Sequence, residues 1–458
     1  MIDLRLPLVA IALAACAPST SSLRRPVDAE LARRLGHDLE LASDDPRVAK
    51  AIALRLERPL DVEGAVRIAL ANSARLKVAL DELGIAGSGL AVTLGPAVVE
   101  LEHRRGGGGQ ETEVAVIQDI LGVITSARRR AAGHADVAAA RATATATALR
   151  LAARVEIGFH DLLAAQQDLE LRRLAFDAAD AAAIVRERMH AAGNTSDLAQ
   201  ARDRDGREQA RIELARAEAA IELRREAINA LLGLTGEQTK WTASGRLPEL
   251  PAAAPSLDAI EATAVTASLD LAAGTARADA AANHAADERL RTFLPHLGIG
   301  VAAADHDGEL RVGPAIAIGI PLFDWNTGGR ARARAEERRA QHELTAIAVE
   351  LRAGARAARI TALAAYGEAR HLRELVLPLR QQIVDETLKH YNAMDADPFT
   401  LIVARRELAD AGQQYIDALR RYANAMAAVR ALERGVLLEP RDDDHRPMRR
   451  RAGGQEHR

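Results

Sequence analysis

The feature that most constrains this chain is a seven-residue apolar repeat that occurs in two matching sets. Val155, Leu162, Leu169 and Phe176 follow one another at that spacing, and Ala358, Ala365, Leu372 and Leu379 form a partner series 203 positions later. Leu214, Ile221 and Ile228 are matched 201 positions on by Tyr415, Tyr422 and Val429, a series that Leu408 opens. Apolar residues at this period wind helices around one another with a left-handed twist. Two series in the same order, at nearly the same offset, indicate a duplicated chain. From Thr125 to Ala192 there is no proline and only Gly133 and Gly158. The pattern there predicts one helix of about 100 Å at 1.5 Å per residue. A helix of that length cannot bury its seam alone. Short breaks at Gly193-Asn194-Thr195-Ser196 and at Asp395-Ala396-Asp397-Pro398 fall at equivalent points, Gly193 against Met394. The expectation is therefore two long antiparallel helical hairpins.

Composition agrees with this. Aromatic residues are 2% of the chain and charged residues 27%, a balance suited to long packed helices rather than to a core of Phe and Trp. A net charge of -3, with no basic stripe carrying interleaved aromatics, gives no case for nucleic acid.

The remaining segments follow from turn and strand signals. Residues 1–15 read as a signal peptide and 16–60 as a lead with short helical patterns. Residues 61–235 hold the first repeat, 236–256 a Gly/Pro/Ser-rich linker, 257–435 the second repeat, and 436–458 a charged, disordered tail. Each repeat opens with a helical pattern, Asp61 to about Leu90 and Leu257 to about Arg291. Two β-like runs follow, Ala97–Glu102 with Val114–Ile120, and Leu297–Ala303 with Leu310–Leu322. The long hairpins come next: Thr125–Ala192 with Asp197–Leu232, and Gly329 to about Met394, Pro378 inside it, with Phe399–Arg434. In Leu310–Leu322, Leu310, Val312, Pro314, Ile316, Ile318, Ile320 and Leu322 alternate with small or polar residues. This period of two, with one aliphatic face, suits a strand against lipid or against a core. Four strands cannot close a barrel, whereas three chains would supply twelve. A small soluble sheet capped by the helices is the alternative.

At the N-terminus, Arg5 precedes a ten-residue apolar run that ends Leu13-Ala14-Ala15-Cys16. The run is too short to span a bilayer and is the right length for a signal-peptide core. Small residues before Cys16, the single cysteine, resemble a lipoprotein box, so Cys16 is the expected lipidated residue. An ordinary signal peptide with an incidental cysteine is the alternative. No later stretch approaches eighteen uninterrupted apolar residues, so no transmembrane helix is expected. Any membrane crossing would have to be a closed barrel.

The order of these elements resembles the TolC-like outer-membrane efflux proteins from Asp61 to Gly435. Ala69-Leu70-Ala71-Asn72-Ser73-Ala74-Arg75-Leu76 is similar to the family's opening helix, with a serine where a proline is usual. Leu294-Pro295-His296-Leu297 resembles the lead-in to a barrel strand. Ile320-Pro321-Leu322-Phe323-Asp324 with Gly328-Gly329-Arg330 resembles the exit from barrel to helix, and Ala192–Leu198 a periplasmic tip. Glu111-Thr112-Glu113 and Pro321–Asn326 look somewhat like the heavy-metal cation branch. The resemblance implies a mostly α fold with a small β-barrel portion. A trimer would form a twelve-stranded barrel and a helical tunnel, lipid-anchored in the bacterial outer membrane. It would be loaded by an inner-membrane pump and a periplasmic adaptor. On that view Asp197, Asp395 and Asp397 are gate residues at the periplasmic tip, and Gly193, Asn194, Thr195 and Ser196 an adaptor-docking loop. Helix capping competes for the aspartates, since aspartate favours the N-cap and Pro398 suits the first turn.

No catalytic spacing is present: no Gly-x-Ser-x-Gly elbow, no phosphate loop, no His-Glu-x-x-His. Asp305-His306-Asp307 suits a polar hairpin turn better than a metal site, so neither metal nor cofactor is expected. An adaptor or coiled-coil scaffold lipoprotein is the competing class, but such a protein would carry one hairpin rather than two with two strand pairs.

Overall fold

The computed structural model describes residues 19–36, 46–90, 97–106, 109–293, 296–306, 309–319, 326–395 and 398–438. Cys16 and Asp397, two of the expected site residues, lie outside them. Two short helices lead in, α1 (Thr20–Leu35) and α2 (Pro46–Leu56). The first repeat then runs α3 (Val62–Asn72), α4 (Ala74–Ser88), β1 (Ala97–Gly106), β2 (Gly109–Asp119), α5 (Ile120–Ala191) and α6 (Asp197–Leu232). A linker with a single turn of 3-10 helix at Gly236–Thr239 follows. The second repeat runs α7 (Ile260–Ala267), α8 (Leu269–Phe293), β3 (His296–His306), β4 (Glu309–Gly319), α9 (Thr327–His371), α10 (Leu377–Asn392) and α11 (Pro398–Glu433).

The duplication holds to the residue in places. Helices α6 and α11 each have 36 residues and begin 201 positions apart. The opening helix of each repeat, expected to be continuous, is broken at a serine. Ser73 sits at φ -64, ψ 120 and Ser268 at φ -61, ψ 119, both extended. Serine favours a cap over a helix interior because its hydroxyl competes for backbone groups. The Ser268 hydroxyl duly accepts from the Leu271 N–H at 3.1 Å.

Strand limits also differ from expectation. The charged stretches around the first turn belong to the strands, and Ile120 opens α5 instead of ending β2. Ladder hydrogen bonding is indifferent to side-chain polarity, so a strand outlasts its apolar alternation. The expected single helix from Gly329 is interrupted by a π turn at Leu372–Val376. Pro378, next in line, lacks an N–H and crowds the carbonyl four residues back, and a widened turn relieves both.

The strands form one antiparallel sheet in the order β1-β2-β3-β4. The two hairpins are joined edge to edge, with Val116 opposite Val301 and Ile117 opposite Gly300. A Cβ at Gly300 would lie 2.0 Å from the Val116 carbonyl oxygen, so glycine is required there. Partners directly opposite share a face. One face therefore carries Val99, Leu101, Val114, Val116, Ile299, Val301, Leu310, Val312, Ile316 and Ile318, every one exposed.

The core lies midway along the helices. Its largest buried side chains include Phe159 and Trp241, whose rings stack with centroids 6.3 Å apart. The Trp241 Nε1–H donates to Asn229 at 2.8 Å. Tyr366 and Tyr422 meet at 5.8 Å in the second repeat, and the Tyr366 hydroxyl donates to the Ala252 carbonyl at 3.0 Å. Thus the few aromatics bind linker to helices at one level. Beside them the buried Asp161 carboxylate accepts from Arg420 at 3.1 Å and from Asn424 at 2.8 Å, both on α11. Its neighbour His160 is also buried. Burial pushes this imidazole below its ordinary pKa, against the opposing pull of Glu156. No described helix is long and apolar enough to cross a membrane.

Candidate functional site

The two tips are built the same way from different residues. At the end of α5, Ala192 bonds to the Arg188 carbonyl, Gly193 to His190 and Asn194 to Met189. At the end of α10, Ala393 bonds to Lys389, Met394 to Tyr391 and Asp395 to His390. This is the closure of a helix through a left-handed residue. Gly193 adopts φ +74 at no steric cost, while Met394 adopts φ +61 and is 95% exposed. A side chain in that region costs roughly 1–2 kcal/mol.

The tip residues fall into separate roles. Ser196 is the N-cap of α6, its hydroxyl accepting from the Ala199 N–H at 3.3 Å. Asp197 is the first residue of that helix, almost fully exposed and 3.3 Å from His190 Nε2. It faces the positive end of the helix dipole but does not cap. Asp395 is exposed and pairs with His390 Nδ1 at 3.0 Å. It stands three residues before α11 starts, so it is not the residue that caps that helix. Among the four loop residues, Thr195 alone is held by a side chain of the body of the hairpin: its hydroxyl accepts from Arg186 at 2.9 Å.

Arg186 itself carries no signal in the sequence. It is 8% exposed, ion-paired to Asp203 of α6 at 2.6 Å, and its guanidinium lies 3.2 Å over the Phe399 ring of α11. One side chain thus ties α5, the first tip loop, α6 and the second hairpin together, and it places the two breaks at the same end of the molecule. The lone aromatic just after the second break, Phe399, was the visible half of this contact.

At the opposite end lies the sheet. Its apolar face is open, and among the described residues neither β1 nor β4 has a second partner. Glu100 and Glu113 fall on the face opposite the aliphatic one, among small residues such as Gly298, Gly300, Ala302, Gly313, Ala315 and Ala317. The arrangement can do what a wall does: present hydrocarbon on one side and an uncluttered, acidic surface on the other. No group of three or more His, Cys, Asp or Glu among the described residues is placed to hold a metal ion.

No family model matches the chain. A curated relative, the cobalt-zinc-cadmium resistance protein CzcC of Cupriavidus metallidurans, is 28% identical over 368 residues, 79% of this chain and 87% of the relative. The solved structure of the outer membrane protein VceC from Vibrio cholerae superposes with a TM-score of 0.64 at 16% identity, over 92% of this chain and 100% of VceC. CusC gives 0.63 at 15%, over 81% and 91%, and the outer-membrane channel OprN 0.62 at 17%, over 86% and 91%. The chain has the fold, and over most of its length the order of elements, of the TolC-like outer-membrane efflux proteins.

Proposed function

We propose that the chain is the outer-membrane channel subunit of a tripartite efflux system, a passive duct across the periplasm and the outer membrane. The observation that carries this is the four-stranded sheet. Its aliphatic face is exposed, both its edges are unpaired among the described residues, and it stands at one end of a helical rod about 100 Å long. Lipid would cover the face, and β4 of one copy would pair with β1 of the next, so that three copies close a twelve-stranded barrel. The hairpins of three copies then enclose the tunnel. The tips, with Asp197, Asp395 and Asp397, form its gate, and the loop Gly193-Asn194-Thr195-Ser196 meets a periplasmic adaptor joined to an inner-membrane pump. Cys16 adds a lipid anchor. The relation to a cobalt-zinc-cadmium resistance protein favours metal cations as the cargo over other small molecules.

The full chain, extracted from outer membranes and chemically cross-linked in detergent, is expected to run as a trimer and to conduct in planar bilayers with cation preference. Replacing Asp395→Asn and Asp397→Asn together is expected to weaken that preference and to blunt block by divalent ions. A detergent-independent monomer without conductance would overturn the channel reading. Unchanged selectivity in the double variant would remove the acidic gate alone. Intact-mass measurement of the extracted protein tests the anchor: acyl mass on a chain beginning at Cys16 is expected, and a chain beginning elsewhere removes it.

A further inference from the structure

We propose that arginines where the helices leave the sheet form a basic belt that binds the phosphate-bearing headgroups of the membrane leaflet facing the periplasm. The proposal rests on the reading that the sheet lies in lipid. Helix α5 follows β2 without a linker, Asp119 ending one and Ile120 starting the other. Its first turn exposes Val123 and Ile124. Arg128, four residues after Ile124, and Arg130, seven after Val123, are exposed too, and those spacings set Arg128 in line with Ile124 on one flank of the helix and Arg130 in line with Val123 on the other. At 1.5 Å per residue the arginines stand about 6–10 Å farther from the sheet than the apolar pair. The polar zone between hydrocarbon and water is roughly 5–7 Å thick on each side of a bilayer. Apolar residues followed by arginines at that interval match the depth order of hydrocarbon and phosphate.

Helix α9, which begins at Thr327 soon after β4, carries an arginine pair at a similar distance from its start. Arg334 and Arg338 are exposed one turn apart. Like charges at that spacing repel unless an anion lies between them. On the other side of the same helix Arg332 and Arg339 are answered by Glu336 at 2.8 Å and Glu343 at 2.7 Å. No carboxylate among the described residues pairs with Arg128, Arg130, Arg334 or Arg338, and none occurs in the sequence between Ile120 and Ala135. Arg129 turns inward to the Gly122 carbonyl and takes no part. The guanidinium fork suits phosphate oxygens, and basic residues near a membrane surface draw anionic lipid.

The full chain, reconstituted in phosphatidylcholine vesicles, is tested with spin-labelled phosphatidylglycerol or phosphatidylcholine in trace amounts. The parent is expected to prefer the anionic probe about threefold or more at low salt, and to lose the preference at high salt. Arg128→Gln with Arg130→Gln, and Arg334→Gln with Arg338→Gln, are each expected to lower the ratio, and the four together to bring it to one. The corresponding lysine variants are expected to keep most of it. Using the two pairs separately guards against a fourfold variant that fails to fold, with helix content read by circular dichroism. Equal ratios in parent and glutamine variants overturn the belt and assign these arginines to carboxylates of a neighbouring copy or to solvent. Resistance to alkaline extraction reads the other premise independently. Parent and variants that all stay in the vesicles keep the barrel whatever the lipid ratio, and a parent that washes off sinks both.

Discussion

The middle of the molecule and its tips carry the same seven-residue pattern and treat it differently. Midway, Val155, Leu162, Ile228 and Val429 are buried to within 1%. Toward the tips the same series opens: Phe176 is half-buried and Leu379 is 49% exposed. Several side chains outside the series behave alike, with Leu198 at 61%. The middle is sealed within one chain because α3, α8 and the linker add further layers around α5. The tips have only two hairpins, and four helices cannot cover one another on all sides. A periodic seam therefore states where a helix wants partners, while the number of layers decides whether one chain supplies them. Under the proposed trimer, the apolar residues left open at the tips are the surface that other copies would cover.

The sharpest way to break this contrast is to charge both levels. Leu162→Asp is expected to cost several kcal/mol, through an unpaired buried ion, read as a lower midpoint in urea. Leu379→Asp is expected to leave helix content unchanged and to lower the yield of cross-linked trimer. Equal losses of fold would mean that one chain already seals its tips. Next in size is Arg186→Ala, which removes a buried ion pair and a cation–π contact and is expected to cost about 2–4 kcal/mol. Hydrogen exchange should quicken at 186–203 and near Phe399 while the middle stays protected. Loss of protection in the middle as well would show that tip and body unfold as one unit.

Met394→Gly is smaller and opposite in sign, a gain of about 1 kcal/mol from relieving a left-handed side chain. Gly193→Met should cost as much at the other tip. Equal and opposite shifts in local exchange would establish that the two closures are equivalent. Smallest is a pH effect of the middle. His160 has a lowered pKa in the folded chain because burial opposes its charge. The unfolded chain therefore binds the proton first, and stability falls as pH drops below the ordinary value of 6.5 toward the lowered one. His160→Gln should flatten that slope in urea midpoints measured across about pH 5–8.

Much of this was legible in the sequence, for reasons that differ by element. Helices α6 and α11 were readable nearly to the residue because Gly193 and Pro398 punctuate them. The strand faces were legible from Leu310 to Ile318 because alternation is a local property. The serine breaks at Ser73 and Ser268 were not, since a single hydroxyl between helical stretches leaves the apolar period intact. The extra reach of β1 and β2 was hidden because His103, Thr112 and Glu113 look like a turn until backbone pairing extends past them. Arg186 was invisible for a deeper reason: its partners, Asp203 and Phe399, lie 17 and 213 positions away, and no periodicity links them. The site was read as a loop and three aspartates, whereas the structure adds the side chain that holds the loop in place.

The π turn at Leu372–Val376 has a mechanical meaning. Helix α5 is an unbroken strut of 72 residues, but its counterpart in the second repeat has a joint just ahead of Pro378. From that joint to Met394 the lever arm is about 27 Å at 1.5 Å per residue. A change of about 10° there would move the tip by about 5 Å, since widened turns and prolines are where helices bend. Stiffness is thus distributed unequally between two near-copies: one leg of the pair is a rigid post and the other can swing from the knee.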